Sequence, residues 1–206
     1  MTRRERERLQ HEQDILDAAE RVFCRDGFFG ASIQTIAAEA EFSVGTLYNF
    51  FSGKELIYER MMERKAQAVV AYYRRAGEGD WGPRETVRRL LAAKASYFSE
   101  NRAFFRMYVT EICGGSTCNA SVKLSQVARE TYAQHLEWVA EIFRDGVARG
   151  EFAAADPMHL TRFLESLGNA VLAMYLEDET GESLEQNLAS MTRLFFDGAT
   201  AREGGK

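Results

Sequence analysis

The chain is poor in the residues that break helices and in those that staple small folds. Proline occurs twice in 206 residues, at Pro83 and Pro157, and cysteine three times, at Cys24, Cys113 and Cys118. So little proline favours long helices over an all-β fold, whose many tight turns draw on proline. Three cysteines cannot build a disulfide framework and read as free thiols of a reducing compartment. No run approaches the ~18 apolar residues of a membrane span, and the opening MTRRERERLQ lacks the apolar core of a signal peptide. The expected location is therefore the cytoplasm, without a membrane partner. HExxH, a nucleophile elbow and a phosphate loop are all missing, so the reading is not an enzyme, and no cofactor is expected. Internal repeats and low-complexity segments are missing as well.

What is present fits a soluble globular protein: 46% of residues are apolar and 28% charged. The length suits one small and one larger domain. A first helix is expected over about Glu7 to Arg25, with Ile15, Leu16, Ala19, Val22 and Phe23 on one face and Gly27 just past its end. Ser52-Gly-Lys-Glu55 has the form of a capping box opening a helix that continues to about Arg75. GEGDWGP, from Gly77 to Pro83, is a clear break, and Pro83 suits a first helical position. Further helices are expected to about Glu100, from a cap at Asn101 to Gly114-Gly115, and from about Asn119 to Arg149. Another opens at Asp156-Pro157 and reaches about Glu177, and the last runs from a capping box at Ser183-x-x-Gln186 to about Phe196.

The stretch Ser32 to Lys54, SIQTIAAEAEFSVGTLYNFFSGK, is the most informative. Ser32 suits an N-cap before the short apolar face Ile33, Ile36, Ala37 and Ala40. Glu41-Phe42-Ser43 interrupts that face, and Ser43 suits the cap of a second helix, Val44 to about Phe50. Two short helices with a tight turn form a helix-turn-helix, whose second helix can enter a DNA major groove.

The longer segment ILDAAERVFCRDGFFGASIQTIAAEAEFSVGTLYNFFSGKELIYERM, Ile15 to Met61, resembles the DNA-binding domain of the tetracycline-repressor (TetR) family. The likeness covers the family's first four helices in order: ILDAAERVF, a glycine at Gly27, TIAAEA, VGTLYNFF and KELI. The family usually has glycine in the turn where this chain has Glu41. The run VARGEFAAADPMHLTRFLESLGNAVLAMYL is similar to the stretch leading into the family's two dimer-forming helices. The resemblance implies an all-α chain of about nine helices. Residues 1–53 would form a three-helix, helix-turn-helix DNA-binding domain and residues 54–206 a helical bundle for effector binding and dimerisation.

On this reading the DNA-contacting set is Ser32, Gln34, Thr35, Ser43, Val44, Gly45, Thr46, Tyr48, Asn49 and Lys54. Thr46 and Asn49 project as base readers, since asparagine can bridge an adenine edge. Gln34 and Thr35 are placed for phosphates, and Gly45 leaves room for close backbone approach. The family pattern gives Tyr48 a backbone or thymine contact and Lys54 a phosphate. Val44, with Leu47 and Phe50, also belongs to the helix's apolar side. Charge argues mildly against this partner, because the net charge is −5. Distribution answers it: Arg3, Arg4, Arg6 and Arg8 cluster in a leading arm.

Elsewhere the aromatics read mostly as bundle core, and the resemblance implies an effector pocket among them, lined by Tyr97, Phe105, Tyr108, Ile112, Trp138, Phe163 and Met174, with Glu111, His135 or Asn169 supplying polarity. Leu164, Leu167, Gly168, Val171, Leu172, Tyr175, Met191, Leu194 and Phe195 suit a homodimer interface of four helices across a two-fold axis. The expected function is a repressor released from double-stranded operator DNA by a small, largely apolar effector. The alternative is a repressor sensing thiol oxidation or a soft metal through Cys113 and Cys118, although two thiols four residues apart are no zinc set, and no metal site is assigned.

Overall fold

The computed structural model describes residues 1–109, 125–177 and 184–199, and among them it is helical without strands. The elements are α1 (Arg3–Gly30), α2 (Ile33–Glu39), α3 (Val44–Phe50), α4 (Lys54–Gly77), α5 (Pro83–Glu100), α6 (Arg102–Tyr108), α7 (Gln126–Ala148), α8 (Pro157–Glu177) and α9 (Leu184–Ala199). These nine helices fulfil the expected all-α class and helix number. They form two compact units: a head, Met1–Ala66 with Ala103–Ala128, and a second unit, Gln67–Arg102 with Arg129–Lys206.

The head is built on α1. Thr2 and Glu5 form a reciprocal capping box, with Thr2 Oγ1 accepting from the Glu5 amide at 3.2 Å and Glu5 Oε2 accepting from the Thr2 amide at 2.7 Å. That box starts the helix at Arg3, ahead of the expected Glu7, so the arginine arm is itself helical. Near the other end Gly27 leaves helical geometry at φ 70°, a conformation that glycine accepts without steric cost. The expected apolar face of α1 is buried, and α2 packs on α1 while α3 packs on α2. Ile15, Val22, Phe23, Ile36, Leu47, Ile57 and Met61 are the fully buried centre. At roughly 1.5–3 kcal/mol for each large apolar side chain, this core outweighs the poor intrinsic stability of two seven-residue helices.

The sequence reading places a boundary at residue 53, whereas the compact units divide inside α4, between Ala66 and Gln67. Burial accounts for the difference. Ile57, Tyr58, Met61 and Met62 are all interior, and Tyr58 meets Phe23 and Phe28 edge to face, so the first turns of α4 complete the head. Ion pairs Arg64–Asp17 and Lys65–Glu20, both 2.6 Å, add a charged clasp between α4 and α1.

In the second unit the punctuation mostly falls where the sequence puts it. Pro83 opens α5, and Asp156 Oδ1 caps α8 by accepting from the His159 amide at 2.9 Å. Asn101, expected to cap the following helix, also closes α5, its Nδ2 donating to the Tyr97 carbonyl at 2.9 Å. The Ser183 cap lies outside the described residues. Within this unit α8 and α9 pack on each other and both on α5. Phe143, Phe152, Phe195 and Phe196 form an aromatic centre. Gly146 is required there, because a Cβ at that position would collide with the Phe152 ring.

A buried polar cluster lies in the same unit. Lys94 Nζ meets Glu165 Oε2 at 2.7 Å, and His135 Nε2 lies 3.4 Å from Glu165 Oε1. Lys94 and His135 are 5% and 3% exposed. Gly168 makes the space, since a Cβ there would stand 3.0 Å from Lys94 Nζ. Burial by itself would raise the Glu165 carboxyl, but Lys94 and the His135 contact outweigh it and lower it to about 2. A depressed native value means that the stabilisation is complete above the unfolded value near 4.5 and is lost as pH falls towards 2. We expect on the order of 3 kcal/mol of native-state stability to disappear across that window. Denaturant melts from pH 6 to pH 2 should show this loss in the parent and a flatter profile in Glu165→Gln; parallel profiles would contradict it.

Candidate nucleic-acid interface

The helices α2 and α3 begin with the same device. In S-I-Q-T, Ser32 Oγ accepts from the Thr35 amide at 3.0 Å and pairs with Thr35 Oγ1 at 2.7 Å. In S-V-G-T, Ser43 Oγ accepts from the Thr46 amide at 3.0 Å and pairs with Thr46 Oγ1 at 2.8 Å. Each cap satisfies an otherwise orphaned first-turn amide. It also engages all four hydroxyls: Ser32 and Ser43 each have two hydrogen bonds committed inside the protein, and Thr35 and Thr46 one each.

The turn between the helices is closed by amides of Ala40, Glu41 and Phe42 donating to carbonyls of α2. Glu41 adopts φ 59°, the sole positive φ outside glycine among the described residues. The left-handed conformation is therefore kept where the family pattern has glycine, at a cost of about 1–2 kcal/mol for a side-chain-bearing residue.

The outer surface of α3 is uncharged. Leu47 is 1% exposed and faces the core, Val44 is half-buried, and Gly45, Tyr48 and Asn49 are exposed, Tyr48 at 54%. Gln34 is the exposed side chain at the start of α2. The end of α3 is fixed against α1 by rings: His11 lies 5.1 Å from Phe42 and 6.5 Å from Phe50, and the Arg8 guanidinium sits 5.9 Å from the Phe50 ring centre. This brings the arginine-bearing start of α1 beside the recognition helix, a proximity that no spacing in the sequence discloses.

The head's acidic residues are largely engaged away from α3. Glu39 accepts from Arg21 Nε at 2.7 Å and lies 3.4 Å from Arg25, while Asp26 pairs with Arg25 at 2.9 Å. The hydrogen bond from Arg21 holds the Glu39 carboxyl below its usual value, and that from Arg25 does the same for Asp26. Glu41 has no ion-pair partner among the described residues.

Lys54, which the sequence reading assigns to a phosphate, has partners inside the protein. Its Nζ donates to the Phe28 carbonyl at 2.8 Å and the Ala31 carbonyl at 2.9 Å, and sits 4.6 Å over the Phe28 ring. Two of its three protons therefore cap the end of α1.

The remaining expected site residues divide between the units. Tyr97 and Trp138 lie in the second unit, Tyr97 6.2 Å from the Tyr73 ring and Trp138 6.0 Å from the His135 imidazole. Phe105, buried, and Tyr108, half-buried, lie in the head. Ile112, Glu111, Cys113 and Cys118 fall outside the described residues, and Asn169 is exposed. Phe163 and Met174, expected in the pocket, are 60% and 58% exposed in the single chain, so they do not line an interior cavity there.

Among the expected dimer residues, Leu164, Gly168, Val171, Leu172, Met191 and Phe195 are buried within their own chain, and Tyr175 lies beneath Arg102. Leu167 and Leu194 are the outward ones, at 42% and 75%. Both patterns have one cause: α8 is apolar on two sides. Leu160, Leu164, Gly168 and Val171 face inward, while Phe163, Leu167, Ala170 and Met174 form a second stripe at helical spacing on the outside.

Two substitutions test this construction. Lys54→Met removes two charge-assisted bonds at a half-buried site and should cost about 2–4 kcal/mol, a fall in Tm of roughly 4–16 °C. An unchanged Tm would show that Lys54 does not fasten the head. Glu41→Gly relieves the turn but adds glycine's entropy, leaving a net gain of up to about 1 kcal/mol and a Tm rise of roughly 2–4 °C. A lower Tm would mean that Glu41 holds the turn through its side chain.

Comparison with known proteins agrees with the geometry. Residues 15–61 match the family model described as bacterial regulatory proteins, tetR family. The HTH-type transcriptional regulator UidR of Escherichia coli (strain K12) is 28% identical over 180 residues, 86% of this chain and 88% of that protein. The crystal structure of the TetR family transcriptional regulator PfmR from Thermus thermophilus superposes with a TM-score of 0.68 at 28% identity, covering 89% of this chain and 97% of that one. The fold is also shared with the transcriptional regulator FadR from Bacillus subtilis in complex with stearoyl-CoA, with a TM-score of 0.75 at 17% identity and coverage of 90% and 98%. With its paired serine-capped helices, turn and uncharged second helix, the segment 15–61 matches the tetR family of bacterial regulatory proteins, and the chain as a whole is similar to HTH-type transcriptional regulators.

Proposed function

We propose that this protein is a ligand-responsive repressor whose head reads operator DNA and whose second unit receives a small, largely apolar effector. The observation that carries the reading is the α2–turn–α3 hairpin, whose second helix offers Gly45, Tyr48 and Asn49 to solvent without a charge, with Gln34 exposed at the start of α2. Asn49 and Thr46 would read base edges from α3; Tyr48 and Gln34 would position the head on the backbone, with the hydroxyls of Ser32, Thr35 and Ser43 nearby. Val44 serves as the packed base of that surface. Lys54 keeps one proton for a phosphate while fastening α1, and Arg3, Arg4, Arg6 and Arg8 supply sequence-independent attraction.

Two copies are needed to present two recognition helices to successive grooves. The outward stripe Phe163, Leu167, Ala170 and Met174 on α8, with Leu194 on α9, supports a two-fold contact in place of the mostly inward set expected from the sequence. Effector responsiveness is supported by the fold shared with FadR, which was captured with stearoyl-CoA, and by the aromatic density of the second unit. The helix α4 belongs to both units, and any ligand that favours one position of α4 shifts the DNA-binding equilibrium.

Fluorescence anisotropy with DNA from upstream of the protein's own gene tests the reading. Tyr48→Ala and Asn49→Ala should each weaken binding by about 5- to 150-fold, equivalent to 1–3 kcal/mol, with Tm unchanged. Leu167→Asp should lower the solution mass from twice 23.4 kDa to 23.4 kDa and abolish operator binding. Parent-like DNA affinity in both folded head variants would refute the recognition surface, and a monomeric parent would refute the dimer.

A further inference from the structure

Two neighbouring buried polar atoms of the second unit have no hydrogen-bond partner among the described residues: Tyr73 Oη and His135 Nδ1. Both residues are more than nine-tenths buried, at 7% and 3% exposure, and their rings lie 5.6 Å apart. Leaving such atoms unpaired costs free energy, so two of them on adjoining rings call for a polar partner.

The surroundings narrow what that is. Lys94 and Glu165 neutralise one another at 2.7 Å, so an anion would sit beside a carboxylate and a cation beside an ammonium, each in a desolvated setting. An uncharged group fits. Nε2 faces Glu165, and when the ring's single proton is held there Nδ1 is left as a hydrogen-bond acceptor. Burial, and secondarily the Glu165 carboxylate, push the Tyr73 phenol well above its ordinary value, so it stays protonated and able to donate. The missing partner must therefore donate to a nitrogen and accept from a phenol, which a single hydroxyl can do. Rings enclose the spot: Tyr97 lies 6.2 Å from Tyr73, and Tyr132 and Trp138 lie 6.3 and 6.0 Å from His135. Such walls favour a flat, aromatic body.

We infer that Tyr73 and His135 form the polar anchor for an uncharged, hydroxyl-bearing aromatic ligand, held beside the Lys94–Glu165 pair. The inference deepens the effector reading given above and rests on it for its biological meaning.

Phenol, toluene and benzoate provide matched probes for titration of the full chain, followed by tryptophan fluorescence and calorimetry. Phenol should bind at least tenfold more tightly than toluene, and benzoate more weakly than phenol. In Tyr73→Phe that margin should collapse to about onefold. Because the substitution removes an unpaired hydroxyl, Tm should rise by roughly 2–6 °C without ligand. Equal binding of phenol and toluene, absence of saturable phenol binding, a margin that survives in Tyr73→Phe, or a fall in Tm would each overturn the anchor, the last because it would mean that internal water already satisfies the phenol. Operator release separates this inference from the effector reading. If a compound without a hydroxyl releases DNA equally from parent and Tyr73→Phe, the anchor fails and the effector reading stands. Phenol binding with the expected margin, but no compound of a broad apolar set releasing DNA, leaves the anchor standing and removes the effector reading.

Discussion

The ammonium of Lys54 joins the two ends of the segment that matters most. Its bonds to the Phe28 and Ala31 carbonyls tie the start of α4 to the end of α1, across 23 residues that contain all of α2 and α3. Neither of those helices would persist in water as seven residues. Once their ends are fixed, Ile36 and Leu47 can reach the core laid down by α1 and α4, and the serine caps need only finish the first turns. Gly27 belongs to the same device, because its left-handed backbone brings Phe28 back under the lysine. The position that the family pattern gives to phosphate recognition is thus a structural fastener, and under the proposed docking it would couple the shape of the reading surface to its grip on DNA.

Much of this was legible in the residues. Ser32 and Ser43 mark the two caps, Asp156-Pro157 and Pro83 mark helix starts, and the apolar spacing of α1 identifies its buried face. These signals are local, and a local signal needs no knowledge of neighbours. The Thr2–Glu5 box is equally local, but it is set among the arginines of a basic opening that has the look of an arm. Asn101 is ambiguous, since an asparagine between two helices can close one or open the other.

Other features depend on partners distant in sequence. A lysine within α5 reads as solvated surface until Gly168 and Glu165 are brought against it, some 70 residues later. Tyr73 reads as bundle core until its hydroxyl is found without a partner. The helix α8 is the clearest case. Apolar residues occur on both of its sides, and only the packing of α5 and α9 decides that Leu164 and Gly168 turn inward while Phe163 and Leu167 turn out. On α8 the expected pocket and dimer residues therefore divide by face, with Phe163, Leu167 and Met174 outward and Leu164, Gly168, Val171 and Leu172 inward.

The absence of charge on VGTLYNF separates two properties that many DNA-binding proteins combine. Under the proposed docking, hydrogen bonds and shape at α3 set the preferred site, and these respond weakly to dissolved ions. The attraction that responds strongly comes from the arginines at the start of α1, which Arg8 and Phe50 hold next to α3 without belonging to it. Ionic strength would then govern how long the protein stays on DNA while leaving its choice of sequence almost unchanged, so the cell's salt balance becomes a control on occupancy that acts independently of any effector.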